Sequence, residues 1–213
     1  SKMMELPHSF RAIETTTCAS LPKCIKLAAT FAVSSERWES RSNQVSKLYI
    51  GIDNGLSGGI AVVNDEGKIV SLCVMPTVPN GKGRDLDVEG FAEVITTYLY
   101  ESITVVIELP TKHSPGVLAL CSTWCCYGGI RAVLRISEVR THEITSPLKW
   151  QKMFWTKPKM PKGQKFDTKA AALKAATQLW PSQSWLATDR SSVPHNGIVD
   201  AALIAEYGRR NNL

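Results

Sequence analysis

Two apolar runs, each ending on a carboxylate, constrain this chain more than any other feature. Lys47-Leu-Tyr-Ile-Gly-Ile-Asp53 is apolar at positions 48, 50 and 52, and Ile103-Thr-Val-Val-Ile107 holds five uncharged residues before Glu108. β-Branched runs of this kind are strands buried on both faces in the middle of an α/β sheet. Acids at the C-terminal ends of such strands lie at the mouth of the sheet, where ligands bind. Asp53 alone could equally be a residue that caps its own turn. Glu108 is sharper, because a buried carboxylate without a partner costs several kcal/mol. Its partner is either a cation such as Lys112 or, if the two strands are neighbours, a magnesium ion shared with Asp53.

The rest of the chain supplies the frame for those strands. A Gly-rich turn from Asn54 to Gly59 leads to Ile60–Asn64 and Lys68–Met75, which flank Asp65-Glu-Gly67 as a hairpin. A polar loop, Pro76 to Asp87, precedes a helix expected over 88–101. After the Glu108 strand come a helix near 115–134, a strand near 139–144 and a short amphipathic piece over 147–154. Helices follow over 168–179, stopped by Pro181, and from Asn196 to about Arg209. Three meandering strands followed by strand–helix alternation give an α/β ribonuclease H-like fold. Its sheet is mixed and five-stranded, three antiparallel strands then parallel ones, with helices on both faces. The same order also begins the actin-like ATPase fold, but about 167 residues are too few for its two lobes.

The last helix adds two groups. Asn196 reads as its N-cap. Asp200, Leu203, Ile204 and Tyr207 are spaced i, i+3, i+4, i+7, so the acid shares the buried face. The helix dipole favours an acid near an N-terminus but does not explain why it points inward; a metal explains both. His195, just before the helix, could reach the same place. Asp53, Glu108, His195 and Asp200 could together hold two divalent ions roughly 3.5–4 Å apart, the layout for in-line phosphodiester displacement.

Charge is divided along the chain. The net charge is +6, yet Lys149 to Lys174 holds eight lysines and one acid, while Asp53 to Glu108 holds nine acids against three bases. Lys149, Lys152, Lys157, Lys159, Lys162, Lys165 and Lys169, interleaved with Trp150, Phe154, Trp155 and Phe166, would meet nucleic-acid phosphates. A solvated charged loop is the bland alternative. With 44% hydrophobic and 21% charged residues the chain can bury a core. No unbroken run approaches the roughly 18 apolar residues of a membrane span. The six cysteines contain no C-x-x-C pair, so they do not form a zinc site, and Cys121, Cys125 and Cys126 are expected as buried thiols. Residues 1–46 hold twelve Ser or Thr, six Lys or Arg and four acids, as an organelle transit peptide or a disordered leader would. The single domain is then 47–213.

Gly51-Ile-Asp-Asn-Gly-Leu-Ser-Gly-Gly-Ile-Ala-Val62, Val105-Val-Ile-Glu-Leu-Pro110 and His195-Asn-Gly-Ile-Val-Asp-Ala-Ala-Leu-Ile-Ala-Glu-Tyr207 resemble the RuvC-type Holliday junction resolvases. Within that family they are most similar to the plant plastid branch, the monokaryotic chloroplast resolvases. The resemblance covers about residues 47–210. It implies a homodimer that cuts four-way DNA junctions by paired symmetric nicks, with Mg2+ or Mn2+, two ions per site and no small-molecule cofactor. It also implies a place in the chloroplast nucleoid, in plastid DNA recombination and nucleoid segregation. Asp53, Glu108 and Asp200 match the family's acids, with Asp53 bridging both ions. Bacterial members have an aspartate where this chain has Gly197, and His195 resembles its substitute, with Asn196 beside it. Lys165 and Lys169 resemble the residues that meet backbone near the scissile phosphate. Two rival readings stand beside this one: a ribonuclease H-like nuclease acting on other nucleic acids, and a catalytically incomplete junction-binding protein.

Overall fold

The computed structural model describes residues 47–99, 101–110, 116–144 and 146–213; the leader at 1–46 and Lys112 lie outside these. Strands β1 (Lys47–Asp53), β2 (Gly59–Asn64) and β3 (Ile69–Val74) form the antiparallel meander. A small hairpin, β4 (Thr77–Asn80) and β5 (Gly83–Leu86), follows, then α1 (Val88–Thr96) and β6 (Ser102–Glu108). Helix α2 (Val117–Ile136), β7 (Arg140–Ile144), α3 (Leu148–Phe154), α4 (Thr168–Leu179) and α5 (Asn196–Arg210) complete the chain. The main sheet runs β3-β2-β1-β6-β7, with β6 and β7 parallel to β1. This is the mixed five-stranded sheet that the element order dictates.

Strand alternation divides the core in two. Leu48, Ile50, Ile52, Val105 and Ile107 face α1 and α2, packing on Phe91, Ile95, Tyr127 and Ile130. Ala61 and Val106 point the other way, into a second cluster with Trp150 of α3, Ala172 and Ala176 of α4, and the apolar face of α5. Helix α5 lies directly on β1. A Cβ on Gly51 would stand 2.1 Å from the Ala201 carbonyl oxygen and 2.3 Å from the Ala205 nitrogen, so only glycine lets the helix backbone come this close. The far end of α5 is tied down by Glu206, which is 2% exposed. Burial opposes its ionisation, but the guanidiniums of Arg209 and Arg210, each 2.7 Å away, outweigh that and hold it below the usual carboxylate range. Arg209 also donates to the Asp65 carbonyl, joining α5 to the β2–β3 turn.

Several expectations are corrected. The polar loop 76–87 contains the β4–β5 hairpin, turned at Gly81-Lys82 with Gly81 at φ 57°. Helix α1 ends at Thr96 rather than 101, where Thr96 and Thr97 both turn their hydroxyls back to the Glu93 carbonyl. The N-cap of α5 is His195, not Asn196. Cys126 is buried, but Cys121 and Cys125 are exposed, because the inward stripe of α2 runs through Cys126, Tyr127, Ile130, Val133 and Leu134. The outer side of α2 shows Val117, Leu118 (87% exposed), Trp124 and Ile136 to solvent. By length and composition alone this helix is apolar enough to cross a membrane, a property that counting unbroken apolar runs overlooked, since glycine and hydroxyl residues interrupt it. Its inward stripe packs into the first core cluster, as the core helix of a globular domain does.

Because α5 sits on Gly51 without room for a methyl group, Gly51→Ala should lower stability by about 3 kcal/mol or more in urea denaturation. A loss below about 1 kcal/mol would mean that the helix does not approach the strand this closely.

Candidate active site

The ends of β1 and β6 come together because the strands pair in parallel with Ile52 opposite Ile107, which sets Asp53 and Glu108 at one edge of the sheet. The third acid arrives through a second backbone approach. Gly58 and Gly197 form a β-bridge between the turn after β1 and the start of α5. A Cβ on Gly197 would lie 2.5 Å from the Gly58 carbonyl carbon, and one on Gly59 would lie 2.7 Å from the Gly197 oxygen. An aspartate at 197 is therefore sterically excluded, which explains physically why glycine stands there. Asp200 follows on α5, half-buried.

All three acids resist ionisation. Burial, followed by the charges of Asp200 and Glu108, pushes Asp53 well above the ordinary aspartate value. Glu108 rises to about 7; burial is the main cause, the Trp150 indole N–H opposes it and Asp200 adds to it. Burial raises Asp200 to about 6 against the pull of Lys169. Trp150 lies beside Glu108 but outside hydrogen-bonding geometry, so Trp150 Nε1 and Glu108 Oε1 are both buried without a partner among the described residues. Buried like charges that raise one another's pKa cannot all ionise near neutrality without a cation.

Hard carboxylate oxygens, one of them orphaned, are the donor set that suits magnesium or manganese. The residues therefore fit such an ion in chemistry. As they stand, no three His, Cys, Asp or Glu side chains among the described residues converge at coordinating distance, so the acids share a field rather than a closed cage.

His195 is engaged differently. Its Nδ1 accepts from the Ile198 N–H at 3.3 Å, while its backbone N–H donates to the Trp185 carbonyl at 2.7 Å. None of its hydrogen bonds reaches a carboxylate. A neutral imidazole with Nδ1 accepting carries its proton on Nε2. In this state Nε2 is a donor, so capping α5 and ligating a metal through Nε2 exclude each other.

The lysines divide too. All eight between Lys149 and Lys174 are exposed, and none is in an ion pair among the described residues. The charge of Lys169, at the start of α4, reaches Asp200. The interleaved aromatics are anchors rather than a stacking surface: Trp150 is 1% exposed, with Trp155 edge-on at 5.6 Å, and Phe154 and Trp155 pack on the second core cluster.

Three residues at the site were not singled out from sequence. Trp150 was read as a possible nucleic-acid contact and instead backs Glu108. Cys126, its thiol pushed up to about 11 mainly by burial, lies under the turn near Gly55 and Asp53. Asn54 lines a cleft of about 170 Å³ with Glu108, Leu109, Pro110, Thr123 and Pro147. Its position directly after the strand-end acid was the signal available.

The fold is ribonuclease H-like, of the kind found in RuvC junction resolvases. It resembles T. thermophilus RuvC in complex with Holliday junction substrate, with a TM-score of 0.52 and 13% identity, covering 77% of this chain and 96% of that one. A Thermus thermophilus RuvC structure aligns with a TM-score of 0.47 and 13% identity over 78% of this chain and 96% of that one. No family model matches the chain, and no curated protein does.

A raised pKa makes an acid's contribution to stability largest when it is protonated, below its unfolded value, and this is lost as pH rises through the folded value. For Glu108 that window runs from the model-peptide 4.5 to about 7. In EDTA, Glu108→Gln should therefore stabilise the protein at pH 8, by up to about 3 kcal/mol, and hardly change it at pH 4. Urea denaturation at both pH values checks this. The same difference between variant and wild type at both would show that Glu108 is not held in a buried site.

Proposed function

We propose that this chain is a metal-dependent endonuclease that resolves four-way DNA junctions by paired symmetric nicks. The observation that carries the reading is the set of three acids with raised pKa values, Asp53, Glu108 and Asp200, brought to one sheet edge by β1, β6 and α5. Asp53, Glu108 and Asp200 would hold Mg2+ or Mn2+, two ions per site, which supply charge neutralisation and acidify the attacking water in an in-line displacement. Trp150 and the surrounding apolar wall keep Glu108 out of bulk water, so its charge is costly until a cation offsets it. As the α5 cap, His195 presents Nε2–H as a donor, suited to a phosphate oxygen or to orienting water.

The seven lysines from Lys149 to Lys169 carry substrate binding, with Lys169 nearest the acids and Lys165 just before α4. RuvC is the junction-binding protein whose fold this chain shares, and that likeness supports four-way DNA over other nucleic acids. Two nicks need two sites, and the exposed apolar side of α2 offers a surface for pairing with a second copy. The Ser- and Thr-rich residues 1–46 and the resemblance to the plastid branch support action in the chloroplast nucleoid, in plastid DNA recombination and segregation.

Asp53→Asn should abolish nicking of a synthetic junction in Mg2+ while its Kd for the junction, by gel shift, stays within about threefold, since phosphate affinity comes from the lysines. A variant that still cuts at near wild-type rate contradicts the site. Lys165→Ala and Lys169→Ala should each reduce the slope of log K against log salt by about one. An unchanged slope for both would mean that this segment does not meet the phosphates.

A further inference from the structure

We infer that Asn54 is a further member of the cation site, its side-chain oxygen acting as a neutral ligand beside the three acids and its amide N–H holding Glu108. The inference rests on the metal-dependent reading of the site and extends it to a residue outside the acid set.

The observation is one of unmet hydrogen-bonding capacity. Both polar atoms of the Asn54 side chain, Nδ2 and Oδ1, are buried and have no partner among the described residues, and the same holds for Glu108 Oε1. Asn54 and Glu108 line the same small cleft. Native interiors rarely leave one such group unsatisfied, and three in one place point to a ligand that completes them. The local fold gives no other account. Asparagine is common in turns because its side chain bonds to its own backbone, but this turn is closed by backbone alone. Gly58 N–H donates to the Gly55 carbonyl at 2.9 Å, and Met75 N–H donates to that of Gly58 at 3.1 Å. The Asn54 amide contributes to neither bond.

The chemistry matches the groups one to one. An amide N–H can donate to the orphaned Glu108 oxygen, and the bond is strongest when the acid is ionised. An amide oxygen is a hard donor of the type that magnesium and manganese accept alongside carboxylates. One divalent ion therefore satisfies Asn54 Oδ1 and stabilises the charge to which Asn54 Nδ2 donates. This also addresses the position at 197, where no side chain fits. The oxygen that a side chain at 197 cannot provide is provided by the turn facing it.

The test is Mn2+ titration by calorimetry at pH 8 without DNA, on wild-type protein, Asn54→Leu and Asn54→Asp, together with urea denaturation in EDTA. Asn54→Leu should weaken Mn2+ binding at least tenfold yet leave the midpoint in EDTA equal or higher, because it removes buried groups that have no partner. Asn54→Asp, which keeps an oxygen in place, should bind Mn2+ as tightly as wild type or more so. If Asn54→Leu binds Mn2+ like wild type, or its midpoint in EDTA falls, Asn54 is a structural residue and the inference fails while the metal-dependent reading stands. If wild-type protein binds no Mn2+, both fail together.

Discussion

The approach of α5 to the β1 strand and its following turn, backbone against backbone, is the constraint on which the site depends. Gly51 admits the Ala201–Ala205 segment onto the strand, and Gly58 and Gly197 touch where the turn meets the helix start. Both contacts require residues without a side chain. Together they fix where α5 begins relative to the sheet edge, and thereby bring Asp200 into the field of Asp53 and Glu108. Glu206, held by Arg209 and Arg210, secures the other end of the same helix. The helix is thus pinned at its start by sterics and at its end by buried charge.

The second theme is electrostatic conflict kept in place. Three acids are enclosed where burial raises them, Glu108 to about 7 and Asp200 to about 6, and the charges of neighbouring acids add to this for Asp53 and Glu108. Among the described residues, Lys169 opposes the rise on Asp200 and the Trp150 indole opposes it on Glu108. A domain selected for stability alone would replace such a cluster by apolar residues of the same size. Retaining it is the mark of a site built for a cation, and the orphaned atoms of Glu108 and Asn54 point the same way.

Much of this was legible in the sequence because it rests on patterns of period and position. The apolar runs ending on Asp53 and Glu108 announced central strands, and their parallel pairing followed from the strand–helix alternation. Asp200 could be assigned to the inward side of α5 from its spacing to Leu203, Ile204 and Tyr207. What sequence could not give is what depends on three-dimensional approach. Gly197 looked like a departure from the RuvC pattern until the backbone of Gly58 was seen against it. Trp150 looked like part of a nucleic-acid surface because its neighbours are lysines, whereas a short helix alternates buried Trp150 with exposed Lys149 and Lys152. The β4–β5 hairpin was hidden by its polar composition, although its two-residue turn opens on a glycine, Gly81. Cys121 and Cys125 of α2 were read as buried because the stretch around them is apolar, and composition does not reveal which side of a helix finds a neighbour.

The account stands or falls on whether the three acids cut a branched DNA substrate. The most direct measurement is cleavage of a synthetic four-way junction in Mg2+ and in EDTA, beside a linear duplex and an RNA–DNA hybrid of the same sequence. The account predicts paired nicks at symmetric positions in the junction, dependent on Mg2+, with the duplex and the hybrid left intact. An intact junction in Mg2+, or a hybrid cut in preference to it, would contradict it.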